Sequence, residues 1–389
     1  MRRLIPAIAA VALLAAACSS GTSTSTESSA APESSAAAPA SSAAAAGGDE
    51  CGTTVEEIAA KAKEEGKVNL IALPDTWANY RGIIDSYVEK YGIEAPVMNP
   101  DASSADELTA VETLRGQPDM PEVLDIGPSF VHQAKDAGYR ETYKTTNWEE
   151  IPASLKGDDG TWLGAYYGIL AIATNATIQP NVPKTWADLK KPEYKGQVTI
   201  NGDPREAGAA FAAVMAASIA NGGSFDDIMP GIEYFAELKK LGNLQTIDVT
   251  EAAVLSGEVP IALDWTYNFP GLRPALEEAG FDFQVIVPND GVYGGYYAQS
   301  VVTEAPHPCA ARLWLEHIVG NDGALGYLEG GAIPARYAAL LEQGLITDEI
   351  AANLPPAEQI AAIEFPTQAQ IDKAKEVITE QWGPMVADQ

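Results

Sequence analysis

The chain has 389 residues, with 54 Asp and Glu against 24 Lys and Arg, for a formal charge of −30 at pH 7. Such an excess of acid repels nucleic acid and anionic lipid headgroups, so neither is expected as a partner, while a cationic solute is tolerated. Three cysteines are present, Cys18, Cys51 and Cys309.

Arg2 and Arg3 precede an apolar run from Leu4 to Ala17, which ends at Cys18. A basic start, a short apolar stretch and small residues predict an export signal over 1–17. The run is shorter than the ~20 residues a spanning helix needs. Ala15-Ala16-Ala17-Cys18 resembles the lipobox of bacterial lipoproteins, although Leu14 stands four residues before the cysteine instead of three. The resemblance implies a lipidated Cys18, hence an extracytoplasmic protein anchored to the cell membrane. A cleaved signal with an incidental cysteine is the alternative. Residues 18–50, nearly all Ser, Ala, Thr, Pro and Gly, bury too little apolar surface to fold and read as a tether, with an rms reach of ~30 Å. With Cys18 lipidated, Cys51 and Cys309 are left as an even remainder in an oxidising compartment. They are expected to pair, two free thiols being the alternative.

Thr54-Val55-Glu56-Glu57 is a capping box opening a helix that Gly66 closes. Val68–Leu73 reads as a buried strand, Trp77–Tyr91 as a helix and Pro96–Met98 as a short strand. Ser104-Ala105-Asp106-Glu107 reads as a second capping box. Glu122–Ile126 is the next strand, and Ser129 is expected to cap a helix ending near Gly138. After residue 170 the rhythm restarts, with strands at Gln197–Ile200, Leu244–Val249, Val259–Asp264, Gln284–Val287 and Tyr297–Val302. Helices are expected at Glu206–Ala220, at Phe225–Leu241 and from Thr250, and the last eighty residues are mostly helical. Alternating strand and helix predicts α/β architecture with parallel pairing and helices on both faces, in two lobes.

No G-x-S-x-G, H-E-x-x-H, P-loop or G-x-G-x-x-G motif occurs, and His132, His307 and His317 are scattered. No metal site and no cofactor are expected, and an extracellular enzyme is the weaker class. Aromatics instead gather near strand ends: Trp77 and Tyr80, Trp162, Tyr166 and Tyr167, Trp265 and Tyr267, and Tyr293, Tyr296 and Tyr297. Asp75, Asp203, Glu206 and Asp264 share those positions. Open α/β sheets bind ligands beyond strand ends, and aromatic faces with carboxylates suit an organic cation.

The phrases Pro183-Lys184-Thr185-Trp186-Ala187-Asp188-Leu189, Pro192-Glu193-Tyr194-Lys195-Gly196, Asp203-Pro204-Arg205-Glu206-Ala207-Gly208 and Ala305-Pro306-His307-Pro308 resemble those of solute-binding proteins of bacterial ABC importers. The likeness is to the class holding spermidine/putrescine-, ferric-iron-, thiamine- and aminoethylphosphonate-binding members, and it covers nearly all of 51–389. It implies a type II periplasmic-binding-protein-like fold, each lobe a mixed sheet flanked by helices. Lobe 1 is expected from 51–168 and 297–330 and lobe 2 from 169–296 and 331–389, with hinges near Tyr167–Ala173 and Tyr297–Val302. It further implies a monomer that captures a small solute by hinge closure and docks on permease subunits. On the polyamine pattern the ligand positions are Trp77, Tyr80, Ser129, Asp203, Glu206, Asp264, Trp265, Tyr267, Tyr296, Tyr297 and Gln299, with Gln299 standing where that pattern has an aspartate. Ferric ion and aminoethylphosphonate are the alternatives. For iron, Trp265-Thr266-Tyr267 lacks the adjacent tyrosines, and for phosphonate Arg205 is the one clear candidate.

Overall fold

A computed structural model of the chain describes residues 50–389 except 352–353, 356–359 and 361–362. The leader, Cys18 and nearly all of the tether lie outside the described residues. Nine strands are named in order: β1 Leu70–Ile71, β2 Val97–Met98, β3 Val123–Ile126, β4 Leu163–Asn175, β5 Val198–Ile200, β6 Ile261–Trp265, β7 Phe283–Ile286, β8 Gly294–Val301 and β9 Ile333–Pro334.

β4 organises the molecule. Its thirteen residues are almost continuously buried, and its partners change halfway along. Leu163–Ile169 pairs with β8, and Tyr166–Tyr167 with β9. Leu170–Asn175 pairs with β6 and β7. β8 continues past β4 to β3, and β6 continues to β5. Two half-sheets, β3-β8-β4-β9 and β4-β6-β5 with β7, therefore share one strand and form the mixed two-lobed architecture. The expected parallel pairing holds only for β1–β2 and β5–β6; all pairings of β4, and that of β3 with β8, are antiparallel. Whether distant segments pair parallel or antiparallel leaves no local pattern in the sequence.

The helices follow their caps. In Val55–Glu65 the Thr54 hydroxyl accepts the Glu57 N–H, the Glu57 carboxylate accepts the Thr54 N–H, and Gly66 ends the helix in the left-handed region. The second box is shifted by one residue: Ser103, not Ser104, caps Ser104–Leu114 and exchanges bonds with Asp106. Ser129 caps nothing. It lies inside a 3-10 turn, Pro128–Phe130, that runs into the short helix Val131–Asp136. The strand expected at Leu244–Val249 is reduced to a single bridge between Leu244 and Val198.

Cys51 and Cys309 form a disulfide, Cα atoms 5.2 Å apart and 258 residues apart in sequence. Closing so long a loop stabilises the fold by about 4–5 kcal/mol on the chain-entropy estimate. It fastens the start of the body to helix Pro308–Val319. Among the described residues no helix is long and apolar enough to cross a membrane.

Candidate functional site

Between the two half-sheets lies a cavity of about 310 Å³. Seven carboxylates line it, from Asp101, Asp106, Glu107, Asp125, Asp203, Glu206 and Asp248, and no Lys, Arg or His does. Trp77, Tyr166 and Tyr297 supply aromatic surface, and Asn201, Ser103, Ser104 and Thr250 supply neutral polar groups.

Local structure sets each of these side chains. Trp77 sits on a 3-10 turn whose Ala78 (φ 46°) and Asn79 (φ 61°) are left-handed. The turn lies so close to Gly330 that a Cβ there would stand 2.4 Å from the Ala78 carbonyl carbon. Asp203 folds the segment after β5 back on itself: its carbonyl accepts the Glu206 and Ala207 N–H groups at 2.9 and 2.7 Å. Its carboxylate takes the Arg205 guanidinium at 2.9 and 2.6 Å. Burial works against the charge of Asp203, but the Arg205 bonds prevail and hold its pKa below the usual range. Arg205 thus serves as the ion-pair partner of Asp203. Across the cavity the Ala105 N–H donates to the Glu206 carbonyl at 3.2 Å, so the two walls are tied by backbone. Helix Gly208–Ala220 starts at the cavity with no side-chain cap.

The cavity floor is made by two buried acids. Asp125 Oδ2 accepts the Tyr80 hydroxyl at 2.6 Å and the Tyr166 hydroxyl at 3.3 Å, and Oδ1 accepts Gln299 Nε2. Glu107 Oε2 accepts the Asp125 N–H at 2.8 Å. Burial pushes the Asp125 carboxyl up to about 7, against the pull of those three donors. Glu107 is pushed well above the carboxylate range by burial and then by the charge of Asp125.

Four of the expected ligand residues meet here: Trp77, Asp203, Glu206 and Tyr297. The others do not reach the cavity. Tyr80 and Gln299 are each 1% exposed and act behind Asp125. Asp264, also 1% exposed, accepts Asn201 Nδ2 at 3.0 Å and its neighbour's N–H at 2.8 Å, and burial lifts it to about 6. Trp265 stacks on the fully buried Tyr267 with rings 12° apart. Ser129, Trp265 and Tyr296 border a separate gap of only about 10 Å³, closed by Phe211 and Phe365. These aromatics sit at strand ends as expected, but they are core. Sequence reasoning passed over Asp101, Asp106, Glu107, Asp125 and Asp248 as ligand residues. Asp125 had a usable signal, a charge inside the apolar strand Val123–Ile126; Asp101 and Asp248 stand in loops without pattern.

The histidines serve structure: His307 bonds Glu122 at 2.7 Å, His317 meets Ser86 at 2.9 Å and His132 pairs with Asp372 at 2.8 Å. Among the described residues no group of three or more His, Cys, Asp or Glu side chains could hold a metal ion.

Residues 119–373 match the family described as Bacterial extracellular solute-binding protein. The chain belongs to that family. Its members bind solutes outside the cytoplasm and are not enzymes, which agrees with the resemblance carried by the Pro183–Leu189 and Asp203–Gly208 phrases. An uncharacterized protein of Haemophilus influenzae is 25% identical over 269 residues, 64% of this chain and 72% of the relative. Among solved structures, the periplasmic binding protein AfuA of Actinobacillus pleuropneumoniae, with fructose-6-phosphate bound, superposes with a TM-score of 0.66 at 17% identity, over 82% of this chain and 99% of that one. Iron-bound HitA of Pseudomonas aeruginosa gives 0.59 at 20% identity, over 80% and 97%. One fold thus accommodates a sugar phosphate and a metal ion, and the solute must be read from the side chains of this cavity.

Proposed function

We infer that this protein is the solute-capturing component of an ABC importer and that its solute is a small organic cation, an alkyl amine of the diamine or short polyamine type. The observation that carries the reading is the lining itself: seven carboxylates and three aromatic rings with no basic side chain among them. Of the seven acids only Asp203 is in a salt bridge among the described residues. Unpaired carboxylates this close repel one another, and a cation relieves that repulsion through charge-assisted bonds, while ring faces attract it further. Trp77 and Tyr297 would form the walls, and Glu206, Asp203 and Asp248 the acidic rim.

Capture works by closure. β4, the strand the half-sheets share, and β8 paired along it are the hinges, and the bond from Ala105 N–H to the Glu206 carbonyl is a contact of the closed form. The closed monomer would then dock on permease subunits, held near them by a lipid on Cys18 and the tether.

Two features weigh against the alternatives. Adjacent Tyr296 and Tyr297, which could chelate iron together, share only a gap of about 10 Å³ and otherwise border different cavities. Arg205, the phosphonate candidate, is occupied by Asp203. A zwitterionic amine is the second reading, favoured by the uncapped start of helix Gly208–Ala220 at the cavity, where backbone N–H groups would donate to a carboxylate.

Thermal denaturation with 1,4-diaminobutane, spermidine, an ω-amino acid, ferric ion and 2-aminoethylphosphonate tests the assignment. Saturation at about a hundred times Kd stabilises by about 2.7 kcal/mol, a shift of several degrees. The amines should produce it and the last two should not. If no amine at millimolar concentration moves the transition, the reading fails.

A further inference from the structure

Asp125 is an unusual lining residue. It is 7% exposed, yet it borders the cavity and has no Lys, Arg or His within salt-bridge distance among the described residues. A carboxylate offers about four acceptor positions. Tyr80, Tyr166 and Gln299 fill three of them, which leaves one.

The seat is stiff. The Tyr166 ring stacks on Tyr327 with centroids 4.5 Å apart, and Tyr80 meets both rings edge-on at 6.0 and 5.9 Å. Gln299 is fixed at its other end, because its Oε1 accepts the Ala165 N–H at 2.7 Å. That N–H belongs to the bulge where the β4–β8 register slips between Gly164 and Tyr167. A buried acid without a counter-cation costs stability unless something neutralises it.

We propose that Asp125 is the specificity-determining residue of the cleft: its remaining acceptor position receives one protonated nitrogen of the solute. The proposal rests on the cationic reading above and deepens it. A second nitrogen reaches the rim acids, Glu206 and Asp248, both exposed, so a diamine outbinds a monoamine of equal length.

The groups facing Asp125 are Glu107 from its helix, and Tyr80, Tyr166, Tyr267, Tyr297 and Tyr327 from the elements packed around it. Burial drives all five phenols upward, out of the neutral range, so the two acids are the groups that titrate there. Their protons leave as those of a coupled pair. Asp125 in the empty cleft sits near 7, so binding is tight above that pH. Below it, affinity falls by up to about tenfold per pH unit, because a proton must leave first.

Calorimetry with 1,4-diaminobutane and butylamine from pH 5.5 to 8.5, in two buffers of different ionisation enthalpy, is the test. The wild type should release protons on binding near pH 7 and should prefer the diamine. Asp125→Asn should lose about 10- to 100-fold in affinity at pH 8, the range of a charge-assisted bond, and lose the pH slope. Glu107→Gln, which still accepts the Asp125 N–H, should keep the slope. If the wild type binds the diamine and Asp125→Asn binds it within twofold with the same slope, Asp125 is only structural and the proposal is overturned while the cationic reading stands. Should the variant not fold, proton release by the wild type decides, and its absence between pH 6 and 8 is equally fatal. A wild type that binds no amine removes both readings together.

Discussion

Tyr296 and Tyr297 are neighbours on one strand, and they open onto opposite kinds of space. Tyr297 borders the acidic cleft. Tyr296, on the other face of β8, borders a second cavity of about 550 Å³ with His132, Lys135, Arg140, Lys156, Asp158 and Asp159. There the charges are largely matched: Lys135 with Asp159 at 3.0 Å, His132 with Asp372 at 2.8 Å, and Lys156 donating to the Trp148 carbonyl at 2.7 Å. The pKa directions diverge in the same way. Behind the strand, against the effect of burial, Thr161 and Lys135 hold Asp159 down to about 2; in the cleft, burial leaves Asp125 near 7. Size does not separate the two spaces, since the matched one is larger. Charges left unmatched do, and those are the ones a solute can complete.

The largest expected effect comes from removing that mismatch. Asp248→Asn with Glu206→Gln keeps side-chain size and deletes two of the unmatched cleft charges. Amine affinity should fall about 100-fold, given about 1.5–3 kcal/mol for a charge-assisted bond. His132→Gln with Lys135→Gln, behind the strand, should leave it within twofold. Titrations followed by tryptophan fluorescence measure both, and equal losses from the two pairs would break the comparison.

Closure gives the next effect. Gly127 and Gly208 bring their backbones together beside the cleft: a Cβ on Gly127 would stand 2.8 Å from Gly208 Cα. Gly127 has φ −57°, so alanine fits the conformation and only the approach of the two walls suffers. Gly127→Ala should weaken amine binding about tenfold, or ~1.4 kcal/mol, with little change in melting temperature of the free protein. A large fall in melting temperature would show instead that this contact belongs to the core.

How much of this could be read from the sequence depends on the range of the signal. Thr54, Gly66 and Thr250 mark helix ends because capping is local, and each does so in the structure. Ser103 and Ser104 were ambiguous because acids at both 106 and 107 complete a box. The Asp203–Glu206 turn was legible as a motif, and Trp77 and Tyr297 as strand-end aromatics. Tyr80 at a helix start, Tyr267 on a 3-10 turn and Asp264 on a strand satisfied the same pattern and proved to be core, because a place near a strand end does not say which way the side chain faces. Gln299 shows the limit most directly. Read alone it is a missing carboxylate, yet its register partner on β3 is Asp125, and only the pairing of segments 174 residues apart puts an acid beside it.

A smaller effect is expected in the pH dependence of stability without ligand, and the two sides should differ in sign. Burial raises Asp125 and Glu122 to about 7 and Asp264 to about 6. The folded protein therefore holds protons that the unfolded chain releases near pH 4. Their contribution is complete below pH ~4 and is lost as pH rises through 6 to 7. Asp159 is depressed, so its contribution is present above pH ~4 and is lost as pH falls through 2. The melting temperature should drop from pH 5 to pH 8, and a saturating diamine should flatten that drop by supplying the missing charge. A melting temperature that rises over that interval would contradict the raised acids.

The smallest effect concerns the one place where the matched cavity breaks its own rule. Arg140 is 8% exposed, and its Nε and Nη1 have no hydrogen-bond partner. Burial lowers its pKa, while Asp159 and Asp136 pull the other way from beyond bonding distance. A buried charge without a bonded partner spends desolvation energy without recovering it, and replacing such a group with an apolar side chain of similar length is commonly neutral or stabilising. Arg140→Met should therefore leave the melting temperature unchanged or raise it by up to a few degrees, about 1 kcal/mol at this chain size, with amine affinity within twofold. The contrast with Asp125 is the point of the measurement. Both are buried charges lacking an ionic partner, one on each side of β8, but only Asp125 is set in the cleft by three directed donors. If Arg140→Met instead unfolds the protein or weakens amine binding tenfold, the charge on the far side is also in use, and the division of β8 into a working face and a supporting face does not hold.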